Sequence, residues 1–335
     1  MDTTRPRPAP THDRPVFRLG PAGISGVLDA AFWLYRDAFW RCYLVVLVPN
    51  AVAYILIKLY QFGAGIEPAN PLQSQGKLLL FSLVSLAVTA LGSVVATGAL
   101  TLAASELCLG RPARVRPALR SSLRALLRMT LARLVVLVLA GAIALVLFIP
   151  VAVGAGALLA AEALPPWLTF TLVAVAGILA WLLAVVYTLR FILAIPAMLI
   201  ERRGVVGALA RSRELVARLS PRGLFNPRSH ILRAGVIYLV LLVLAATLYV
   251  LFSLSIGFML GIMHAWSGEP LQVLWQQFQQ GPMVFFEAFW RLVYVAVEGY
   301  AIVCLVVFYY EIRARREGFD LLERLHRLRN SESPA

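Results

Sequence analysis

Six apolar stretches, each long enough to cross a bilayer, occupy most of this 335-residue chain. About 20 consecutive apolar residues cover roughly 30 Å of hydrocarbon, because an α-helix rises about 1.5 Å per residue. Segments 42–62, 78–108, 131–160, 167–199, 234–263 and 282–311 all meet that length. Hydrocarbon offers no water to backbone N–H and C=O groups, so such segments must close their hydrogen bonds internally, as helices. The chain is therefore read as an all-α integral membrane protein with six transmembrane helices. Apolar residues make up 60% of it and charged residues 14%. Soluble domains carry about half and about a quarter, so a soluble globular class is excluded.

Charge then orients the spans. Of 31 basic residues, 28 lie in blocks 1–41, 109–133, 190–233 and 313–329, while the alternate connections near 63–77, 162–166 and 264–281 hold only Lys77. Lysine and arginine collect beside cytoplasmic span ends, so both termini are expected in the cytoplasm. The composition is heavy in Leu, Ala and Arg with only two lysines, which suggests a high-GC bacterium and its inner (cytoplasmic) membrane. The net charge of +14 follows from this orientation signal, and no nucleic-acid partner is expected because no recognised nucleic-acid module is visible.

Catalytic signatures are missing. The sequence has no glycine-rich phosphate loop, Cys-x-x-Cys pair, HExxH or nucleophile elbow, so no enzyme, cofactor or metal site is expected. Cys42, Cys108 and Cys304 show no ligand spacing and read as cytoplasmic-side thiols. His12, His230, His264 and His326 are scattered along the chain.

Residues 1–18 read as a disordered cytoplasmic tail, 19–315 as the six-span domain and 316–335 as an amphipathic cytoplasmic tail. The N-terminal residues 1–16 are proline-rich and lack the apolar core of a signal peptide. The basic connections carry amphipathic helices. Residues 21–38 place Ile24, Val27, Leu28, Ala31, Leu34, Tyr35 and Ala38 on one face by the i, i+3, i+4, i+7 rule. Residues 115–130 set Leu119, Leu123, Leu126 and Leu127 beside a stripe of Arg116, Arg120, Arg124 and Arg128. Residues 205–219 set Leu209, Val216 and Leu219 against Arg211, Glu214 and Arg218. Arginines four apart repel one another, and anionic lipid headgroups or a protein partner would compensate. Plain positive-inside anchoring would also account for them. Their starts near Pro21, Pro112 and Val205, about 92 residues apart, predict a threefold repeat of amphipathic helix, span, span. Pro150 and Pro196 are the predicted kink sites.

Ionisable residues inside spans are costly and so point to function. Glu298 lies near the middle of the sixth span, as a proton carrier, a substrate contact or a protonated acid bonded to a neighbouring helix. Glu106 and Arg190 are expected at similar depth near cytoplasmic span ends, where they could pair. Glu287 and Arg291 are spaced to pair with each other, and Lys58 and Lys77 to snorkel to the outer interface. Gly92-x-x-x-Ala96 and Ser93-x-x-x-Thr97 allow close helix approach.

Three segments carry a family resemblance. Leu28-Asp-Ala-Ala-Phe-Trp-Leu-Tyr-Arg36 resembles the opening of bacterial glycerophosphoryl diester phosphodiesterase membrane-domain proteins. Ala208-Leu-Ala-Arg-Ser-Arg-Glu-Leu-Val216 is similar to that family's central cytoplasmic helix, and Phe308-Tyr-Tyr-Glu-Ile-Arg-Ala-Arg-Arg-Glu-Gly-Phe-Asp320 to its exit from the last span. The resemblance implies a six-span domain of unknown biochemical role. Some such proteins carry a soluble phosphodiesterase barrel, which is expected to be absent here, so its catalytic residues have no positions to occupy. Residues 220–230 depart from the family's pattern.

Two main readings follow. One is a non-enzymatic scaffold or accessory protein whose basic cytoplasmic helices bind anionic lipid or a partner protein. The other is a carrier or flippase for a lipid-like or anionic small molecule that uses Glu298. An intramembrane lipid enzyme is the third.

Overall fold

A computed structural model describes residues 23–63, 75–161, 165–217, 230–274 and 282–318. The expected tail 1–18, most of the tail 316–335, Arg218, Leu219 and residues 220–229 lie outside them. The described residues are helical, with no strand among them, and six of the helices are long and apolar enough to cross a membrane. The chain is thus a multi-pass helical membrane protein.

The elements in order are α1 (Ile24–Asp37), α2 (Phe39–Gly63), α3 (Gln75–Cys108), α4 (Val115–Ala160), α5 (Pro166–Leu189), α6 (Ala194–Ile200), α7 (Val205–Ala217), α8 (His230–Ser267) and α9 (Pro282–Glu317). α1 buries Val27, Ala31 and Tyr35, the face that its apolar spacing selects, and packs chiefly on α9.

The fold departs from the sequence reading at three points. Residues 115–130 are not a separate amphipathic helix; they are the first turns of α4, which runs unbroken for 46 residues, about 69 Å. Ala-rich, Leu-rich sequence with no glycine or proline between Ala118 and Ala140 gives the chain no reason to stop there. This stretch also buries a face other than the leucine one. Ala118, Ser122 and Met129 are buried while Leu123 and Leu127 are exposed, because small residues let α4 approach α3 closely. Span four is broken at residues 190–193, just before the expected kink site Pro196, whose missing N–H and ring disfavour a continuous helix through the preceding turn. The third departure is Pro150, an expected kink site that interrupts nothing in α4.

α1, α4 and α7 start at Ile24, Val115 and Val205, 91 and 90 residues apart.

The core sits toward one end of the bundle. The end carrying the 109–114 and 201–204 connections is termed the basic end. There α1 and α6 pack with the last turns of α3 and α9 around the fully buried Leu100, Leu193, Phe308, Tyr309 and Tyr310. Toward the opposite end, α3 exposes Leu79, Leu80, Leu83 and Leu86, and α9 exposes Phe285, Phe289 and Leu292. Half of the most apolar stretch of α9 is buried inside the protein, against 6% for α4 and α8. α9 is therefore the central helix, and α4 and α8 present most of their surface to lipid.

Candidate functional site

Where the packed end meets the sparse end, four helices bring polar side chains together. Glu298 of α9 accepts hydrogen bonds from Asn50 Nδ2 of α2 at 3.1 Å and from Ser93 Oγ of α3 at 3.3 Å. Arg133 of α4 donates to Thr97 Oγ1 at 2.8 Å and to Ser93 Oγ at 3.5 Å. Each of the four residues Asn50, Ser93, Arg133 and Glu298 lies at least 11 residues from either end of its helix, about 16 Å along the axis.

Local sequence explains how these side chains meet. Ser93 and Thr97 are four apart and share one face of α3, while Gly92 turns the neighbouring face to α2. A Cβ at Gly92 would lie 3.0 Å from Ala53 and 3.3 Å from the Pro49 carbonyl, so glycine permits the α2–α3 contact. Gly98 does the same toward α4, where a Cβ would come within 2.7 Å of both Ser122 Oγ and the Met129 side chain. Asn50 follows Pro49 inside α2 and uses its amide on the Val46 carbonyl at 3.0 Å as well as on Glu298. Beside Glu298, Gly299 makes room for the Tyr35 ring of α1, whose hydroxyl donates to the Ala296 carbonyl at 2.8 Å.

A polar seam continues from Glu298 along α2 and α9 toward the opposite end. Arg291 stacks over the Tyr54 ring at 4.9 Å, and Lys58 pairs with Glu287 at 2.9 Å. The expected Glu287–Arg291 pair within α9 does not form. The two residues turn instead to partners on α2, since α2 lies against this face.

Glu106 and Arg190 belong to neither feature and do not pair. The Glu106 carboxylate accepts from the backbone N–H of Arg114, the N-cap of α4, at 3.2 Å, an acid stabilising a helix N-terminus. Arg190 caps α5, its carbonyl accepts from Ser212 Oγ at 3.0 Å, and its Nε is buried with no hydrogen-bond partner among the described residues. Arg133, by contrast, was legible only as the last residue of a basic block. Its partners Ser93 and Thr97 were legible only as small packing residues.

At the basic end the arginines divide into two groups. Arg211 is drawn inward, bonding Glu201 at 3.2 Å, Glu214 at 3.2 Å and Glu317. Tyr309 donates to Glu201 at 2.7 Å, and Arg203 pairs with Glu201 at 2.6 Å. Burial works against ionisation of Glu201, but the Tyr309 hydroxyl and the Arg211 and Arg313 guanidiniums outweigh it and hold its carboxyl below the usual range. Arg233 and Arg315 likewise meet Glu311. Arg116, Arg120, Arg124 and Arg128 are exposed on α4 and have no carboxylate partner among the described residues.

Cys42, Cys108 and Cys304 are free and buried. Among the described residues no group of three or more His, Cys, Asp or Glu is placed to hold a metal ion. Compared with protein-family models, with curated proteins and with solved structures, the chain finds no match.

Proposed function

We propose that the protein is a multi-pass membrane scaffold that docks anionic lipid headgroups on the first half of α4. The observation that carries this reading is the contrast in arginine partnering. Arg211, Arg203, Arg233 and Arg315 each pair with a glutamate, Glu201 or Glu311, whereas Arg116, Arg120, Arg124 and Arg128 form an exposed stripe with no carboxylate partner among the described residues. Leu123 and Leu127 are exposed beside that stripe, and α4 continues directly into a span. Cationic heads and apolar flank therefore stand at the level of the lipid headgroups and upper acyl chains. Each basic residue near an anionic surface contributes about 1 kcal/mol, so four give about 4 kcal/mol, roughly a thousandfold in affinity. The positive-inside rule puts this face and both termini in the cytoplasm of a bacterial inner membrane. The threefold repeat, supported by the spacing of α1, α4 and α7, and the membrane-domain resemblance of segments 28–36, 208–216 and 308–320 belong to the same proposal.

Native mass spectrometry of protein taken from mixed-lipid nanodiscs tests it. Anionic phospholipid should be retained over zwitterionic phospholipid, and the quadruple Arg116→Gln, Arg120→Gln, Arg124→Gln, Arg128→Gln variant should lose that preference. Equal retention of both lipids by the wild type rules the lipid out and leaves a protein partner for this face.

The carrier reading is favoured by a different observation, the meeting of half-buried Glu298 and Arg133 between four spans.

A further inference from the structure

We propose that Glu298 is a proton-exchanging carboxyl within the membrane, reached along the α2–α9 seam from the end opposite the arginine stripe. The inference is independent of lipid docking, and it rests on the site that the carrier reading uses.

The geometry around Glu298 suits two protonation states. A carboxylate locked in a bidentate pair with arginine would stay ionised, and one enclosed by hydrocarbon alone would stay neutral. Glu298 has neither environment. Its oxygens meet an amide and a hydroxyl, Asn50 and Ser93. The Arg133 guanidinium stands one hydroxyl away, on the far side of Ser93. From those two Ser93 contacts of 3.3 and 3.5 Å the opposite charges are less than about 7 Å apart, close enough for substantial attraction at low dielectric. The Ser93 hydroxyl both donates and accepts. It donates to ionised Glu298 and, after rotation, accepts from the protonated acid, while the Asn50 N–H remains a donor to the carbonyl oxygen in either state.

Access follows from the neighbouring residues. Tyr54 and Lys58 stand one and two turns beyond Asn50 on α2, facing Arg291 and Glu287 on α9. Tyr294, one turn from Glu298 on α9, is exposed. On the other side Thr97, Leu100, Val303 and Tyr310 are buried in the packed end, whereas charged side chains continue from Glu298 toward the opposite end. The charged and titratable groups nearest Glu298 are Arg133 on α4, Tyr294 on α9 and Tyr35 on α1; the α2 and α3 residues bonded to it, Asn50 and Ser93, are neutral.

A membrane-permeant carbodiimide tests the assignment, since it adds across the O–H of a protonated carboxyl and rearranges to a stable acylurea without losing an atom. The full chain in liposomes is treated on the acid side at about pH 5.5 and on the alkaline side at about pH 8, and digested peptides are weighed. Glu298 should carry the adduct, several-fold faster at the lower pH. Arg133→Gln should raise labelling at the higher pH, because removing the cation favours the neutral acid. The wild-type series needs no variant that must fold. Absence of the adduct on Glu298 at both pH values, or labelling that ignores pH, overturns the proposal. Neither result bears on lipid retention by α4.

Discussion

Ser93 Oγ stands between two opposite charges, donating to Glu298 at 3.3 Å and accepting from Arg133 at 3.5 Å. A single hydroxyl thus links α9 to α4 through α3. Ser93→Ala leaves Glu298 with Asn50 alone and Arg133 with Thr97 alone. Loss of a hydrogen bond to a charged, partly buried group costs about 1–3 kcal/mol. The thermal midpoint in detergent should fall accordingly, while Ser93→Thr, which keeps the hydroxyl, should fall less. An unchanged midpoint for the alanine variant would show that water replaces the hydroxyl without cost.

Removing one charge of the cluster should be worse than removing both. Arg133→Leu leaves Glu298 without its nearest cation, and Glu298→Leu leaves Arg133 without its nearest anion, each at a cost of about 2 kcal/mol or more. The double variant should lose less than the sum of the two, by at least about 1 kcal/mol in a double-mutant cycle. Additive losses would mean that the charges do not sense each other across Ser93.

Helix approach at Gly98 gives a steric prediction. A Cβ there would lie 2.6 Å from Ser122 Oγ and 2.7 Å from Met129, and Ser122 is itself held by the Val95 carbonyl at 2.8 Å. Gly98→Leu should force α3 and α4 apart, with about 1–3 kcal/mol of overpacking on top of the broken Ser122 bond. Met129→Ala should recover part of that loss in the same thermal assay. Gly257→Leu, at a position with nothing within 4 Å, should have little effect.

Acid should loosen the basic end. The Glu201 carboxyl is held below its ordinary range by Tyr309, Arg211 and Arg313 against the opposing effect of burial, so the folded form binds its proton less readily than the unfolded form. The stability it supplies is full above the ordinary glutamate range and is lost as pH falls through the lowered value. Hydrogen-exchange protection in α7, taken relative to the intrinsic amide rate at each pH, should therefore fall at acid pH, and Glu201→Gln should show the lower protection already at neutral pH. Identical pH profiles for the two proteins would remove Glu201 from the latch between α6, α7 and α9.

Much of the fold was legible residue by residue. The burial of Val27, Ala31 and Tyr35 follows from apolar spacing, and the break before Pro196 from proline chemistry. The continuity of α4 was not legible, because a basic amphipathic stretch and an apolar span are both good helix formers and nothing between them marks a stop. The buried face of that stretch was misread for a related reason. Leucine spacing signals amphipathicity in water, but beside lipid the close contact falls to small residues such as Ala118 and Ser122. Of the intramembrane cluster only Glu298 stood out, since an acid within a span is conspicuous, whereas Asn50 and Ser93 are common polar residues.

From the sequence alone came the number of spans, their helical state and the division of charge between two ends. These depend on run length, on backbone hydrogen bonding without water and on local composition, all of which act within one segment at a time. Only the tertiary structure decided that Arg133 meets Ser93 and Thr97, that Glu298 meets Asn50, and that Glu106 and Arg190 stand apart. Those meetings depend on the depth and rotation of each helix against its neighbours. Close approaches at Gly92, Gly98 and Gly299 set that rotation, and no periodicity within a single helix encodes it.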